Sequence, residues 1–318
     1  MLGLCRAVAP LGYGTPPKPP GPFRSTLDHM SLYRLEEEQS ELDAPVLVAA
    51  LEGWVDAGSA GTAAAAQLAE GGTTVATFDP DAIYDYRARR PILDILDGKP
   101  MSLAWADLRL TASRVGGRDL LVLTGPEPDY RWRELSADVV ELAKRLGVVS
   151  WASLGAIPAA VPHTRPVPVL ATASARGLLP DGIRQGPEGL LRVPSAALSV
   201  LELAVAAGGI PAVGFFAQVP HYVNTSYPTA SLALLTALGR HLGVELPVGG
   251  LATRALERRN MLDAAAASDD ETRAHVERLE ALADESGQPA GDELIADIER
   301  FLREGGGDEE PDGGSRLH

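Results

Sequence analysis

Polar and aromatic side chains that could do acid–base or nucleophilic chemistry are concentrated in the segment PHYVNTSYP, residues 220–228. His221 and Tyr222 can transfer protons, and Thr225 and Ser226 carry hydroxyl groups. Short polar side chains also commonly bond nearby backbone groups in turns. We therefore expect most of this polarity to hold the loop, with His221 and Tyr222 as the members that face a ligand.

Three more polar segments follow predicted strands: EGWVDAGSAG at 52–61, GPEPDYRW at 125–132 and GAIPAAVPHTR at 155–165. In an open parallel sheet, ligands bind outside the carboxyl ends of the strands. We therefore expect these three segments and residues 220–228 to share one edge of the sheet, here called the rim. No catalytic residue can be assigned. The candidate ligand-binding residues are Glu52, Trp54, Asp56, Arg87, Arg90, Glu127, Arg131, Trp132, His221, Tyr222 and Asn224.

Two groups of candidates have structural alternatives. Asp56 precedes a glycine-containing helix start, where free backbone amides could hold an anion or the carboxylate could cap the helix. Three arginines lie in YDYRARRP, and a guanidinium there, at Arg87 or Arg90, could grip a carboxylate. The rim offers Glu127 and Asp129 as partners. Such a pair would be structural or lie between subunits, so loss of Arg90 would lower stability or oligomer formation without abolishing a catalytic rate.

The patterns that metal and nucleotide sites require are missing. His163 and His221 are the histidines of the rim, without HExxH spacing, and Cys5 is the single cysteine. Neither a G-x-S-x-G elbow nor a phosphate-binding glycine motif follows a strand. We therefore expect no metal and no cofactor.

A single cysteine suits a reducing compartment, which predicts a cytoplasmic protein.

The formal charge of −15 lies at the flanks of the chain. Residues 269–318 contain 16 acidic and 5 basic side chains, whereas residues 44–268 are nearly neutral. Because binding to phosphate backbones needs a basic surface, we expect no nucleic-acid partner. No stretch approaches the roughly 20 apolar residues that a membrane span requires, so we expect no membrane association either.

Short apolar runs alternate with helical patterns between residues 44 and 250. Strands are predicted at 45–51, 73–79, 83–86, 107–111, 119–125, 148–157, 167–174 and 210–219. Helices are predicted at 59–71, 131–147, 195–207 and 229–242. Continuous apolar strands separated by helices are typical of a sheet covered on both faces. We therefore expect an α/β fold, with a three-layer α/β/α core around a mostly parallel sheet.

The chain is predicted to have four parts. Residues 1–28 and 305–318 are expected to be disordered tails, the second of them acidic, because prolines, glycines and charges dominate them. Residues 29–250 form the core domain. Residues 251–304 form a helical extension, with helices predicted at 253–267, 269–285 and 291–305. Each of these helices carries one apolar stripe, enough to dock on the core or on another subunit.

Four motifs in this order resemble the bacterial, actinobacterial-type branch of the proteasome assembly chaperone 2 family: LEGWVDAGSAG, YDYRARRP, GPEPDYRWRE and GFFAQVPHYVNTSYPTAS. The resemblance covers about residues 30–300. It implies a phosphorylase-like α/β/α fold, a helical C-terminal appendage and a homo-oligomer such as a trimer. In eukaryotic relatives the family helps to assemble proteasome α-rings, which implies another protein as a further partner.

Two functional hypotheses follow. The first is a non-enzymatic, homo-oligomeric assembly or interaction protein, which the missing nucleophile elbow, metal site and phosphate loop favour. The second is an enzyme or binder of a small anionic or nucleoside-like ligand at the rim. Clustering of Asp56, Glu127, Arg131 and His221 around one pocket would favour the second hypothesis.

Overall fold

A computed structural model of the chain describes residues 31–36, 42–180, 182–186 and 189–285. The strands are β1 (Tyr33–Leu35), β2 (Val46–Glu52), β3 (Thr73–Phe78), β4 (Ile92–Leu96), β5 (Lys99–Ala104), β6 (Arg109–Val115), β7 (Arg118–Pro126), β8 (Ser150–Ala159), β9 (Val169–Ala173), β10 (Arg184–Gln185) and β11 (Ala212–Pro220). The helices are α1 (Ala60–Ala69), α2 (Pro80–Ile83), α3 (Trp132–Arg145), α4 (Ala197–Ala207), α5 (Pro228–Leu242), α6 (Leu251–Ser268) and α7 (Asp270–Glu285).

Nine strands form one mixed sheet in the order β1-β3-β6-β7-β2-β8-β11-β9-β10. The central strands β7, β2, β8 and β11 are parallel, as the continuous apolar runs predict. Antiparallel pairs occur on both flanks, at β1–β3, β3–β6 and β6–β7 on one side and at β11–β9 on the other. The α/β class is confirmed. Antiparallel pairs occur where a tight turn such as Gly116–Gly117 between β6 and β7 joins consecutive strands, because such a turn can join only antiparallel strands. The edge pair β9–β10 is parallel.

Helices cover both faces of the sheet. Because successive side chains of a strand point to opposite faces, Val48 and Ala50 of β2 pack with residues of α1 and α5, whereas Leu47 and Ala49 pack with residues of α3 and α4. On the first face α1 contacts α5, and on the second face α3 contacts α4. The core therefore has the three layers that the sequence predicts.

The strand predicted at 83–86 is wrong. The Asp79 carboxylate accepts a hydrogen bond from the Asp81 amide, and Pro80 lies in the first turn of the helix, so residues 80–83 form the short helix α2. Ile83 and Tyr84 are buried, with 0% and 3% of their surface exposed. Their burial explains the strand-like apolar pattern, since a short apolar run does not distinguish a buried helix end from a strand.

Residues 92–104, to which the sequence analysis assigns no element, form a two-stranded hairpin separate from the large sheet. Asp97 and Gly98 join β4 to β5, with φ angles of 50° and 75°. Positive φ at both central residues is the turn geometry that Asp-Gly favours between antiparallel strands. Every residue of both strands is exposed, so the hairpin projects from the core into solvent.

Helices α6 and α7 correspond to the first two helices of the predicted extension. Leu251, Ala252 and Ala255 of α6 are buried in the core cluster that α1 and α5 line. The helix predicted at 291–305 and both predicted tails lie outside the described residues. Within the part that the structure describes, no helix is long and apolar enough to cross a membrane.

Candidate functional site

The loops that follow the central strands meet at the carboxyl edge of the sheet. The backbone amide of Glu127, after β7, donates to the carbonyl oxygen of Glu52, at the end of β2, at 2.8 Å. The amide of Tyr227, after β11, donates to the carbonyl oxygen of Gly58 at 2.8 Å. The rim is therefore one connected surface, and the partners of each candidate residue decide what that residue can do.

Asp56 caps helix α1. One of its carboxylate oxygens accepts from the amides of Gly61 and Thr62, at 2.8 and 3.2 Å, and the other accepts from the Thr62 hydroxyl at 2.5 Å. Burial raises the pKa of Asp56, and these hydrogen bonds oppose that change. A Cβ on Gly61 would lie 2.6 Å from the Leu154 carbonyl oxygen, so glycine allows the helix to approach β8 closely. The amides that could hold an anion are therefore occupied by the chain's own carboxylate.

Glu127 ties three segments together. Its Oε1 accepts from the Ala197 amide at 2.6 Å, at the start of α4, whose cap residue Ala196 offers no side-chain acceptor. Its Oε2 accepts from the Trp54 amide at 3.1 Å. A Cβ on Gly53 would lie 2.6 Å from the Glu127 Cβ and 2.4 Å from Oε2, so a larger residue here would displace this carboxylate. Glu127 therefore acts as a long-range helix cap, and both of its oxygens are in use.

The arginine motif does not form the expected ion pair. Arg87 and Arg90 are exposed, and none of the ion pairs among the described residues includes either of them. Arg89 is the half-buried arginine: its Nη2 donates to the Glu127 carbonyl oxygen at 3.5 Å, and its Cζ lies 5.8 Å from the centre of the Tyr84 ring. Within the described chain, Arg87 and Arg90 therefore do not pair with Glu127 or Asp129, and Arg89 is the side chain that packs against the rim. A pair of Arg87 or Arg90 between subunits stays a prediction.

Arg131 and Trp132 lie at the start of α3, and both side chains form hydrogen bonds with residues only a few positions away. Arg131 adopts a left-handed conformation with φ of 58°, and its Nε donates to Glu134 Oε2 at 2.9 Å. The indole Nε1 of Trp132 donates to the Pro128 carbonyl oxygen at 2.6 Å, and the ring packs on the core. Both side chains therefore support the turn into the helix.

Aromatic and acidic side chains fix the base of the β4–β5 hairpin next to this part of the rim. Asp129 accepts from the Asp85 amide at 2.8 Å, and the Tyr130 hydroxyl donates to Asp85 at 3.1 Å. On the hairpin side, the rings of Tyr86 and Trp105 pack edge to face, with centroids 4.8 Å apart. The hairpin is therefore rooted at the loop that follows β7.

His163 and Tyr222 form a buried polar pair at the other part of the rim. The Tyr222 hydroxyl accepts from the His163 amide at 2.8 Å and lies 2.7 Å from His163 Nδ1. His163 is 1% exposed, and its Nε2 lies 3.2 Å from Asp263 Oδ1 in α6. Burial raises the pKa of Tyr222 to about 12. Tyr222, which the sequence analysis expects to face a ligand, is instead bonded to the chain's own histidine.

The two C-terminal helices cover this part of the rim. The Thr164 hydroxyl donates to Glu280 of α7, and Arg165 donates to Asp284 at 2.8 Å. The ring of His221 packs edge to face on that of His275, also in α7, with centroids 5.3 Å apart.

The rim therefore has two halves. The covered half consists of loops 160–166 and 221–227, against which α6 and α7 pack; His163 and Tyr227 are buried there, whereas His221 and residues 224–226 stay exposed. The open half consists of loops 53–56 and 126–131. In the open half, Trp54 is 66% exposed and Tyr130 is 50% exposed. Glu52 is exposed at its edge, and Asn224 is an exposed residue of the covered half.

The large cavity of the structure is away from the rim. It has a volume of about 930 Å³ and lies between α1, the C-terminal end of α5 and the segment 243–248. Val115 and Gly116, at the turn that leads into β7, also line it, so it lies at the amino end of the parallel strands. None of the eleven candidate residues lines this cavity.

The residues that complete the covered half were missed by the sequence analysis. Arg259 and Asp263 of α6 and Glu280 and Asp284 of α7 lie 96–119 residues from their partners in the loops, and no local pattern links them. His275 of α7 lies 275 − 221 = 54 residues from His221. Among the described residues, no group of three or more His, Cys, Asp or Glu side chains is arranged to hold a metal ion.

Comparison with known proteins identifies relatives over most of the chain. The model of the PAC2 family matches residues 50–266. A PAC2 family protein from Streptomyces avermitilis is 36% identical, with a TM-score of 0.66 over 73% of this chain and 99% of its own. A proteasome-assembly chaperone homologue from Mycobacterium tuberculosis is 34% identical, with the same TM-score and coverage.

A second Mycobacterium tuberculosis protein, described as of unknown function, is 36% identical, with a TM-score of 0.74 over 86% of this chain and 93% of its own. No curated protein matches the sequence.

Proposed function

Because the chain belongs to the PAC2 family, we propose that it works by assembling with copies of itself and with another protein, and not by catalysis. The observation that carries this proposal is the β4–β5 hairpin. It projects from the open half of the rim with every residue exposed. Six of the eleven residues in its two strands are large apolar side chains that are 46–68% exposed, namely Ile92, Leu93, Ile95, Leu96, Met101 and Leu103.

The arrangement of these side chains suits a docking surface. Leu93 and Leu103 lie opposite each other and therefore share one face of the hairpin. Complete burial of one such side chain contributes about 1.5–3 kcal/mol of favourable free energy. Six exposed side chains therefore leave a large hydrophobic stabilisation available to a binding partner. Exposed apolar patches of this kind mark interaction sites, and the identical surface on a second copy is always present as a partner. A trimer is the oligomer that the family resemblance implies.

The alternative, an enzyme or a binder of a small anionic or nucleoside-like ligand, lacks a matching arrangement in the described residues. Asp56 and Glu127 have their carboxylates bonded to backbone amides at helix starts, and Arg131 is paired with Glu134. His221 lies in the covered half of the rim, against α7. Each group that would have to contact a common ligand is therefore bonded to, or packed against, a different part of the chain.

The proposed partners and location follow from the relatives and the composition. One structural relative is described as a proteasome-assembly chaperone homologue, which supports the proposal that this chain also binds another protein. Its single cysteine, Cys5, suits a reducing compartment, which supports a cytoplasmic location.

Light scattering on size-separated protein tests the proposal. The wild-type chain is expected to have a mass that is a multiple of 33.4 kDa at micromolar concentration. Replacing Ile95 and Met101 together by glutamate is expected to give the monomer, because charges then lie on the apolar surface. Leu203→Glu, on α4, changes a side chain that is 71% exposed elsewhere and is expected to keep the oligomer. A monomeric wild type, or an oligomer that survives the double substitution, would contradict the proposal.

A further inference from the structure

We propose that segment 190–195 of a second copy adds to the β4–β5 hairpin as a third strand, so that the hairpin of one copy and the segment of the next form one contact. This inference rests on the proposed function, in which the hairpin binds another copy, and it assigns the surface of that copy which the hairpin contacts. Two observations carry it: the hairpin has no third strand among the described residues, and segment 190–195 is exposed and lies outside every helix and strand.

The hairpin is incomplete as a sheet. Among the described strands, β4 pairs only with β5. Each of the two strands therefore presents one free edge of backbone N–H and C=O groups. A two-stranded hairpin whose residues are all exposed is marginally stable in water, and a third strand or a packed face normally completes it. The described part of the chain supplies neither.

Segment 190–195 has the exposure and the backbone that strand addition needs. Leu190, Leu191 and Val193 are 83%, 58% and 61% exposed. Within the described ranges, no backbone hydrogen bond outside the helices and strands includes a residue of this segment. Val193 precedes Pro194, which favours an extended backbone at Val193. The amide and carbonyl groups of residues 190–193 are therefore available to the edge of a partner's sheet.

Both ends of the segment are held by the fold. After it, Ala196 is buried and the Ala197 amide donates to Glu127 Oε1 at 2.6 Å. Before it, the Gly186 amide donates to the Ala171 carbonyl oxygen at 3.1 Å. Because these contacts restrict where the segment can lie, ordering it on a partner costs less entropy than ordering a free chain end.

The free edge of β4 presents alternating side chains. Because successive residues of a strand point to opposite faces, Leu93 and Ile95 lie on one face of β4. The opposite face carries Ile92, Asp94 and Leu96. The contact is assigned to β4 because β5 contains a proline, which has no backbone donor.

Segment 190–195 alternates in the matching way. Leu191 and Val193 share one face of an extended strand, and Leu190 and Arg192 share the other. With Arg192 opposite Asp94 in an antiparallel third strand, the remaining pairs are Val193 with Leu93, Leu191 with Ile95 and Leu190 with Leu96. Each apolar side chain then meets an apolar one, and the single cation meets a carboxylate.

Charge favours the segment over a second hairpin as the partner. The charged residues of the hairpin are Asp94, Asp97 and Lys99, so the hairpin is negative overall. Arg192 is the one charged residue of segment 190–195, and it is exposed. Two hairpins in contact would oppose like charges, whereas the segment brings the opposite charge. Asp94 already accepts from the Ser102 hydroxyl at 2.7 Å, and a carboxylate can accept further hydrogen bonds.

The two surfaces belong to opposite flanks of the sheet. The hairpin leaves the sheet after β3, the second strand in the order, whereas the segment follows β10, the last strand. A contact between two different surfaces of the same chain repeats from copy to copy and stops only when it closes as a ring. The inferred contact is therefore head to tail, and a ring leaves no hairpin and no segment uncovered.

Mixing two variants tests the contact in the full chain. The hairpin variant carries Ile95→Glu and Met101→Glu and keeps an intact segment. The segment variant carries Leu191→Glu and Val193→Glu and keeps an intact hairpin. We expect each variant alone to be a folded monomer by light scattering and circular dichroism, because charges then lie on one side of every contact. An equal mixture is expected to give particles with the mass of two 33.4 kDa chains, since one intact hairpin then meets one intact segment.

A chain with all four substitutions is the matched control, because it offers neither surface. Mixed with either variant, it is expected to leave only monomers, and a dimer there would place the contact on another surface and overturn the inference. A segment variant that keeps the wild-type mass, or two monomeric variants that do not combine, would also overturn the inference while leaving the proposed function in place. A monomeric wild type would contradict the proposed function and this inference with it.

Exchange of charges tests the pairing of Arg192 with Asp94. Asp94→Arg and Arg192→Asp each place like charges opposite each other in the contact, so each is expected to raise the dissociation constant by about fivefold or more. The chain with both substitutions restores opposite charges, and its dissociation constant is expected to lie within about twofold of the wild-type value. A double variant that dissociates as readily as the single variants would contradict the inferred contact.

Discussion

The two halves of the rim lie on the same edge of one sheet, yet helices of the chain pack against only one of them. In the covered half, His163 is 1% exposed and is bonded to residues of α6 and the β11–α5 loop. In the open half, Trp54 is 66% exposed, and the adjoining hairpin leaves Ile92 68% exposed. The chain thus supplies its own cover for one half and none for the other among the described residues. This difference supports the proposal that the open half is a docking surface for another molecule.

Glu127→Ala is expected to have the largest effect on the comparison, because the open half depends on this carboxylate. The substitution leaves the amides of Ala197 and Trp54 without their acceptor, so the free energy of unfolding should fall by about 2–3 kcal/mol. Denaturant unfolding measures this change. Glu127→Gln keeps an acceptor oxygen and should lose clearly less. Equal stability of Glu127→Ala and the wild type would show that the carboxylate is free for a ligand.

Asp56→Ala comes next, with an expected loss of about 1–2 kcal/mol, because α1 loses its cap. Asp56→Asn keeps a side-chain oxygen for the helix amides and serves as the matched control. Thermal unfolding of both variants at neutral pH gives the comparison. If the alanine variant were as stable as the asparagine variant, the capping role of Asp56 would be wrong.

Arg90→Ala is expected to have the smallest effect, within about 0.5 kcal/mol, because Arg90 is exposed and the described ion pairs do not include it. Arg89→Ala is the informative partner, since Arg89 packs on Tyr84 and contacts the Glu127 carbonyl. Calorimetry on the two variants should show the larger loss for Arg89. A larger loss for Arg90 would restore the pairing that the sequence analysis expected.

The core could be predicted from sequence because its signal is local. Continuous apolar runs such as residues 46–51 mark strands buried on both faces, and glycines end the helices that cover them. The hairpin carried a visible turn signal in Asp97 and Gly98. Its apolar residues face solvent, however. The hairpin was therefore not predicted, because apolar runs were assigned to strands buried in the core.

The site could be predicted only in part. Its loops were found because the ends of parallel strands share an edge. The partners were not, since Glu127 caps a helix 70 residues later, and His163 meets Asp263 100 residues later. Such pairs form only after the sheet order is set, and residue types alone do not specify them. The role of the candidate residues in binding a ligand therefore stays a prediction.

Amide hydrogen exchange of residues 92–104, followed by mass spectrometry at high and at low protein concentration, tests the central claim most directly. If the open half is a surface for assembly, the hairpin should exchange slowly in concentrated solution and at least tenfold faster on dilution below the dissociation constant, while the buried strand β2 stays protected in both. Equal, fast exchange of the hairpin at both concentrations, in a sample that light scattering shows to be oligomeric, would contradict the account.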